Sequence, residues 1–327
     1  GTSESRVYIT SLKDDTVGGL TNNNTDQPGA GNWGRVHFRT GSNGELDFLE
    51  MRYGGYLLNG MLYTDVGTNV TIDNGVFKNA SDCAISSDSG YEPTLLNMDY
   101  SDFSGSANNG MCMRGGSISN HSTWDETEAT HVLYDDLTVA VGGSLTLGPG
   151  VVVKLRYDYV ELYVDGSFYT QGTSESRVYI TSIKDDSIGG LTNNNAELPS
   201  DGDWGRVQFR GGSSGDLDFL ELRYGGYLQN GMLYTDGGTN VTIDNGVFKS
   251  ASDCAISSDA SDEPTLLNMD STDFTGSNYN GLCMRAATLS NHSTWDETEM
   301  AYVLYDDLTI GVGASLTLGP GVVVKPR

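Results

Sequence analysis

Aspartate and asparagine side chains cluster in a glycine-rich stretch that occurs twice, as "KDDTVGGLTNNN" from Lys13 and as "KDDSIGGLTNNN" from Lys184. Oxygen ligands in alternating positions are typical of calcium sites, and paired glycines let the backbone bend tightly. Calcium is therefore a candidate cofactor, with these candidate ligands: Asp14, Asp15, Asn22, Asn24, Asp26, Asp185, Asp186, Asn193, Asn195 and Glu197. The glycine and closing glutamate of an EF-hand loop are absent. The favoured interpretation is thus a structural turn whose polar side chains satisfy backbone groups.

A second acidic cluster, "TWDETE" from Thr123, is followed by "LYDDLT" from Leu133, and both recur at Thr294 and Leu304. Paired carboxylates can act as acid and base in glycoside hydrolysis. Every carboxylate here is duplicated, however, and two nearly identical active sites on one chain would be unusual for such an enzyme. The sequence therefore favours a solvated acidic face over a catalytic pair.

Arginines recur at matching positions in the two halves of the chain, and their spacing suggests a stack on one face. They are the candidate residues for binding an acidic polysaccharide: Arg35, Arg39, Arg52, Arg114, Arg206, Arg210, Arg223 and Arg285. A polysaccharide lyase also needs a basic group that removes a proton next to the substrate carboxylate. Pairing of arginine with Glu50 and Asp65 across neighbouring strands is the alternative, and we favour it.

Cysteine and histidine carry less information. Cys83 and Cys112 lie 29 residues apart, as do Cys254 and Cys283, which is about one solenoid turn and would permit a disulfide between stacked turns. Aligning "DCAISSD" with "NGMCMRG" without a gap places the two cysteines on opposite faces, so we predict buried free thiols. The four histidines form no cluster for zinc and no repeated Ser-His-Asp arrangement.

The net charge and the hydropathy pattern exclude some classes of binding partner. The chain has 44 acidic residues and 18 Lys plus Arg, with a formal net charge of -26, which repels nucleic acid and anionic membrane surfaces. No run of apolar residues is long enough to cross a membrane, and no signal peptide is apparent at residue 1. We therefore expect neither nucleic-acid binding nor membrane insertion.

The chain is a tandem repeat. Trp33 matches Trp204 and Trp124 matches Trp295, an offset of 171 residues, which divides the chain into units 1–171 and 172–327 of one continuous solenoid. Within each unit, short alternating strands recur at intervals of roughly 23 to 29 residues, the length of one turn of a parallel β-helix. The prediction is an all-β, right-handed parallel β-helix with about six coils per unit. A propeller or a pair of sandwich domains is the minor alternative.

Five segments follow one another in a characteristic order. They are "GGSLTLGPGVVVK", "LYVDGSFYTQ", "SRVYITS", a loop that ends at "WGRV", and then "LDFLE". This order resembles the right-handed parallel β-helix repeats of large secreted and cell-surface prokaryotic proteins, within the pectin-lyase-like fold group. The resemblance implies an extracellular, structural or adhesive protein, while the wider group also includes polysaccharide-cleaving enzymes.

Two functions therefore remain open. The first is a non-catalytic segment of a larger secreted or surface protein, which could associate with itself end to end because a solenoid end presents unpaired strands. The second is a module that binds or cleaves an acidic polysaccharide or a cell-surface glycan.

Overall fold

The computed structural model describes residues 1–56, 60–227, 231–285 and 288–327, and in these ranges it is a parallel β-solenoid of about 11 turns. The predicted all-β class and parallel stacking are confirmed. Right-handed winding, six coils per unit and the division at residue 171 stay predictions. The described residues hold no helix with the length and apolar character needed to cross a membrane.

The strands are short, as the turn-rich sequence predicts. Those of the first unit are β1 Val7–Ile9, β2 Val36–Phe38, β3 Asn43–Asp47, β4 Leu49–Arg52, β5 Leu62–Thr64, β6 Asn69–Asp73, β7 Val76–Lys78, β8 Cys83–Asp88, β9 Thr94–Leu96, β10 Asn108–Arg114, β11 Gly116–Ile118, β12 His121–Trp124, β13 His131–Leu133, β14 Leu137–Val139, β15 Ser144–Leu147, β16 Val152–Leu155, β17 Leu162–Val164 and β18 Ser167–Gln171.

Those of the second unit are β19 Val178–Ser182, β20 Val207–Phe209, β21 Ser214–Asp218, β22 Leu220–Arg223, β23 Leu233–Thr235, β24 Asn240–Asp244, β25 Val247–Lys249, β26 Cys254–Asp259, β27 Thr265–Leu267, β28 Phe274–Thr275, β29 Tyr279–Arg285, β30 Thr288–Leu289, β31 His292–Trp295, β32 Tyr302–Leu304, β33 Thr309–Ile310, β34 Ser315–Leu318 and β35 Val324–Pro326. Single turns of 3-10 helix cover Tyr100–Phe103 and Ser271–Asp273.

Strands three positions apart in the chain pair in parallel over most of the solenoid. The longest described sheet has ten strands and runs β2-β5-β8-β10-β13-β16-β19-β22-β25-β28, and a nine-stranded sheet runs β11-β14-β17-β20-β23-β26-β29-β32-β35. Both sheets cross residue 171, since β16 pairs with β19 and β17 pairs with β20. Apolar side chains stack in register along the inner face. One such row passes through Leu62, Ile85 and Met111.

The core is a column of stacked side chains inside the coils. Leu62, Ile85 and Met111 are fully buried, and the same row continues through His131 and Val153. Each coil alone leaves an apolar face open, so the stacked neighbours bury it and the fold gains its stability from repetition.

Each unit contains an interruption of two of its sheets, which we call the seam. Between residues 76 and 131 the sheets β1-β4-β7 and β3-β6-β9 end and new sheets begin with β11 and β12, while the ten-stranded sheet continues through β8, β10 and β13. Near residues 260–302 the second unit repeats this arrangement, and there the nine-stranded sheet continues through β26, β29 and β32. Backbone groups at a seam therefore need partners other than a neighbouring strand.

The prediction of free thiols is wrong, because all four cysteines form disulfides. Cys83 bonds to Cys112 and Cys254 to Cys283, with Cα atoms 6.0 and 6.1 Å apart. The pairing of β8 with β10 shifts register between Asn108 and Met111, so Cys112 lies opposite Ser86 and not Ala84. This irregularity, which an ungapped alignment of the two segments does not contain, lets the side chains meet.

Candidate functional site

The repeated acidic turn is a long excursion between two strands. We call residues 13–32 strap 1 and residues 184–203 strap 2. In strap 1 Asp14 is buried, and its carboxylate accepts hydrogen bonds from the Thr10 hydroxyl and from Thr16. In strap 2 Asp185 accepts the same bonds from Thr181 and Ser187. Each carboxylate therefore fixes the first turn of its strap.

Burial by itself would raise the pKa of Asp14, but the hydrogen bonds from Thr10 and Thr16, together with the charge of Arg52, hold it below its usual value. The guanidinium of Arg52 lies 3.5 Å from an Asp14 carboxylate oxygen, and that of Arg223 lies 3.6 Å from Asp185. The ionised carboxylate is thus already balanced by groups of the chain itself.

The alternating asparagines of the straps are used within the straps. The Asn22 side-chain oxygen accepts the Asn24 amide at 3.2 Å, and the Asn24 oxygen accepts the Asp26 amide at 2.5 Å. Strap 2 repeats both bonds through Asn193, Asn195 and Glu197. These are Asx turns, in which a side chain stands in for a backbone acceptor. They agree with the structural interpretation of the turn.

The described residues contain no group of three or more histidine, cysteine, aspartate or glutamate side chains arranged to hold a metal ion. Asp15 and Asp186 follow the buried Asp14 and Asp185 in their straps, and neither strap gathers its candidate ligands into such a group. Calcium binding by the straps stays a prediction.

Strap 2 folds back onto the outer surface of the first unit. The Asn109 backbone N–H donates to the Thr192 carbonyl oxygen at 2.6 Å, and its side-chain amide donates to the Leu191 carbonyl oxygen at 3.0 Å. The Thr130 hydroxyl donates to the Gly189 carbonyl oxygen at 2.9 Å. Residues 59 and 82 positions apart in sequence are thus joined side by side.

Lys154 anchors the centre of this contact. Its ammonium group is fully buried and donates to the Gly190 carbonyl oxygen at 2.7 Å and to the Thr192 hydroxyl at 2.8 Å. Burial lowers the pKa of Lys154 to about 8, and the charges of Asp185 and Asp186 oppose that effect. A buried amine with a lowered pKa can serve as a base or a nucleophile. Here strap 2 covers it and both bonds are internal.

The carboxylates of "TWDETE" close the first seam. Glu126 accepts the Leu95 backbone N–H at 2.8 Å, and Glu128 accepts the Met98 backbone N–H at 2.9 Å. The second seam repeats both bonds, from Leu266 to Glu297 at 2.9 Å and from Met269 to Glu299 at 2.6 Å. The expected solvated face is therefore found only in part, because these glutamates are half-buried and their oxygens replace the missing strand as acceptors.

Glu92 completes the first seam from the other side. Its carboxylate accepts the Asp125 backbone N–H at 2.7 Å and bonds to the imidazole of His131. The His131 ring lies flat against Trp124, with centroids 5.3 Å apart. In the second seam Tyr302 takes the place of His131 and donates to Glu263. Both His131 and Tyr302 stack on a tryptophan and bond to a glutamate. Because a phenol can fill this position, its role is packing and hydrogen bonding and does not require proton transfer by an imidazole.

Two carboxyl groups at the seams, those of Glu126 and Glu263, have raised pKa values. Burial, with a contribution from the negative charge of Glu92, raises the pKa of Glu126 to about 7. Burial also raises the pKa of Glu263 to about 7. A raised carboxyl pKa is a property of general acids in glycosidases, but these groups are occupied by backbone amides.

The arginines are divided between sheets and do not form one ladder. Arg52 lies on β4 of the three-stranded sheet, whereas Arg114 lies on β10 of the ten-stranded sheet. Arg52 does pair with Glu50, at 2.7 Å, but both residues lie on β4, so the predicted pairing across neighbouring strands is wrong. Asp65 pairs with His37 at 2.6 Å and not with an arginine. Five more of the candidate arginines form ion pairs with carboxylates: Arg114–Asp82, Arg206–Glu161, Arg210–Asp165, Arg223–Glu221 and Arg285–Asp253.

Two candidate arginines point outward from the first unit. Arg35 is exposed and its guanidinium lies 4.6 Å from the centre of the Tyr63 ring, and Arg39 is also exposed. Near Arg114, a shallow cleft of about 430 Å³ is lined by Asp88, Ser117 and Asn120. The two exposed arginines and the cleft form polar surface that a ligand could contact, but they do not specify which ligand.

Sequence reasoning missed three structural residues. Lys154 ends an apolar run and recurs as Lys325, and Glu92 recurs as Glu263; repetition was a signal for both. Asp82 is fully buried and accepts bonds from Asn108, Arg114 and Arg156. Asp82 lies next to Cys83 and recurs as Asp253, but nothing in the local pattern distinguishes it from an exposed aspartate.

No protein-family model, curated protein or solved structure matches the chain. The structure therefore establishes the fold, a parallel β-solenoid. Its repeated polar residues join one coil to the next.

Proposed function

We propose that this chain is a non-catalytic, rigid segment of a larger secreted or cell-surface protein, with a structural or adhesive role. The observation that carries the proposal is the use made of its chemically capable side chains. Asp14 pairs with Arg52 of the neighbouring coil, Glu126 accepts a backbone N–H of the preceding coil and Lys154 donates to strap 2. Asp185 and Glu297 repeat the first two roles. Such side chains stiffen a rod and are occupied before any substrate arrives.

The disulfides support an extracellular setting. Cys83–Cys112 and Cys254–Cys283 each join neighbouring strands, and structural disulfides persist mainly in oxidising compartments. The charge of -26 keeps such a segment soluble and discourages indiscriminate association.

Binding of an acidic polysaccharide is the second candidate. One observation favours it: Arg35 over Tyr63 and Arg210 over Tyr163, the latter at 3.7 Å, are cation–ring pairs that could contact a uronate and a sugar face together. Lyase activity would further need a base beside the bound uronate.

The test is incubation of the full chain with polyuronates and neutral polysaccharides, following new reducing ends and the absorbance of unsaturated products. We expect no turnover above a heat-denatured control. Small-angle scattering of the same sample should give a rod of about 50 Å, since about 11 turns stack at ~4.8 Å each. Cleavage of any polymer that a Glu126→Gln or Glu263→Gln variant loses would overturn the proposal.

A further inference from the structure

The outer surface of one sheet in the middle of the chain carries two adjoining clefts. The sheet runs β12-β15-β18-β21-β24-β27, and its outward side chains stack in register from coil to coil. Two rows cross the centre of the sheet: Ser144, Ser167 and Ser214, and Thr146, Tyr169 and Asp216. We call the outward surface of β15, β18 and β21 the cleft face.

Tyr169 lies where the two clefts meet. It lines one cleft of about 320 Å³ together with Ser144 and Asp165, and a second of about 390 Å³ together with Thr146 and Asp216. The ring is half-buried, with further coils stacked on both sides of it. β18 has five residues, which extend roughly 16 Å. The cleft face is therefore long enough for a short run of sugar-sized groups.

Several polar side chains of the cleft face are not used inside the protein. Those of Thr146, Tyr169, Gln171 and Asp216 form no hydrogen bond with any residue that the structure describes. They differ in this from the seam carboxylates such as Glu126, which hold backbone amides. Donors and acceptors that converge on a concave surface are the groups that orient a bound ligand.

The charge of the cleft face excludes one class of ligand. The six described strands of this sheet contain neither lysine nor arginine, and their carboxylates are Asp216, Asp218 and Asp244. Burial, followed by the charges of Asp216 and Asp244, raises the pKa of Asp218. Arg210 reaches the rim, where it pairs with Asp165 at 3.5 Å. An anionic ligand is therefore repelled, whereas a ligand with uncharged hydroxyl groups is not.

The cleft face also offers apolar contact. The Tyr169 ring provides a flat surface on which the C–H face of a sugar can stack, and its hydroxyl remains available for a hydrogen bond. At the rim, Val141 is 84 % exposed. Gly142 and Gly212 beside it have φ of 81° and 88°, so the backbone requires glycine there and no side chain closes the rim. Polar and apolar groups thus alternate over the clefts, as they do over a sugar ring.

We propose that the cleft face binds an uncharged polysaccharide, with one sugar ring stacked on Tyr169 and neighbouring hydroxyl groups bonded to Thr146 and Asp216. The inference deepens the adhesive role in the proposed function by naming the chemistry of the ligand, and it rests on that role. It differs from the acidic-polysaccharide candidate, whose arginines lie outside the strands of this sheet.

Isothermal titration calorimetry of the full chain tests the proposal, with cellohexaose, xylohexaose, mannohexaose, laminarihexaose and maltohexaose as uncharged ligands and hexagalacturonate as the acidic one. The wild type should bind at least one uncharged sugar with a Kd below about 1 mM, and hexagalacturonate about tenfold more weakly or not at all. Tyr169→Ala and Asp216→Ala should each weaken binding about tenfold, because one loses the stacking surface and the other a charge-assisted hydrogen bond. Tyr159→Ala removes a ring that is 57 % exposed and lies outside the cleft face, and is the matched control.

Circular dichroism checks that each variant folds. Asp216 is exposed, so its variant suffices if Tyr169→Ala does not fold. The site is overturned if no uncharged sugar binds, if hexagalacturonate binds as tightly or more tightly, or if neither Tyr169→Ala nor Asp216→Ala weakens binding. Those outcomes leave the non-catalytic proposal standing, because that proposal fails by polymer turnover. Cleavage of a bound sugar would refute that proposal and leave the site in place.

Discussion

Replacing Glu126 by Gln should stabilise the protein at pH 8. The amide keeps an oxygen that can accept the Leu95 backbone N–H, but it removes the negative charge. Burial, with the charge of Glu92 acting in the same direction, raises the Glu126 pKa from 4.5 to about 7. That difference corresponds to about 3 kcal/mol between the two protonation states, since each pKa unit is ~1.4 kcal/mol.

The sign follows from proton binding. The folded state holds the Glu126 proton more tightly than the unfolded state, so this group favours folding most at pH below 4.5 and the advantage disappears as pH rises through about 7. The Gln variant should therefore match the wild type near pH 4 and exceed it by about 3 kcal/mol at pH 8.

Urea denaturation followed by tryptophan fluorescence at both pH values measures the difference. Glu45→Gln, an exposed change on β3, is the matched control and should alter stability little at either pH. If Glu126→Gln lost stability at pH 8, the carboxylate charge and not merely its oxygen would be holding the Leu95 amide. The reasoning from burial would then be refuted.

Three further predictions concern the disulfides, an ion pair and calcium. Replacing Cys83 and Cys112 together by Ser should cost about 3 kcal/mol in thermal unfolding, given their separation of 29 residues, and reduction of the wild type should cost about twice as much because it also opens Cys254–Cys283. Arg52→Met should cost about 3 kcal/mol, because it removes the closer of the two cations beside the buried Glu50 and also the cation beside the buried Asp14; Lys78, 4.0 Å from Glu50, remains. Arg39→Met should leave stability unchanged, and equal effects of the two variants would contradict the pairing. The melting temperature should be the same in calcium chloride and in EDTA, because strap asparagines already accept backbone amides; a rise with calcium would instead support the predicted ion site.

The straps show which features a local sequence pattern can predict and which it cannot. The alternation of polar residues after Gly18 and Gly19 predicted a backbone-satisfying turn, and Asn22 and Asn24 do accept the amides two residues ahead. An Asx turn depends only on neighbours in sequence, so the sequence suffices. The docking of strap 2 on Asn109 and Lys154 depends on which coils lie side by side, and no local pattern specifies that.

By itself, the sequence determined the all-β class, parallel stacking and the repeat of 171 residues, because alternation and period are properties of short segments and of self-comparison. Only the tertiary structure decided that Cys83 meets Cys112, since one register shift between stacked strands changes which side chains face each other. It also decided that Glu126 and Glu128 hold backbone amides at a seam. That role arises where a sheet is interrupted, and an interruption exists only once the coils are stacked.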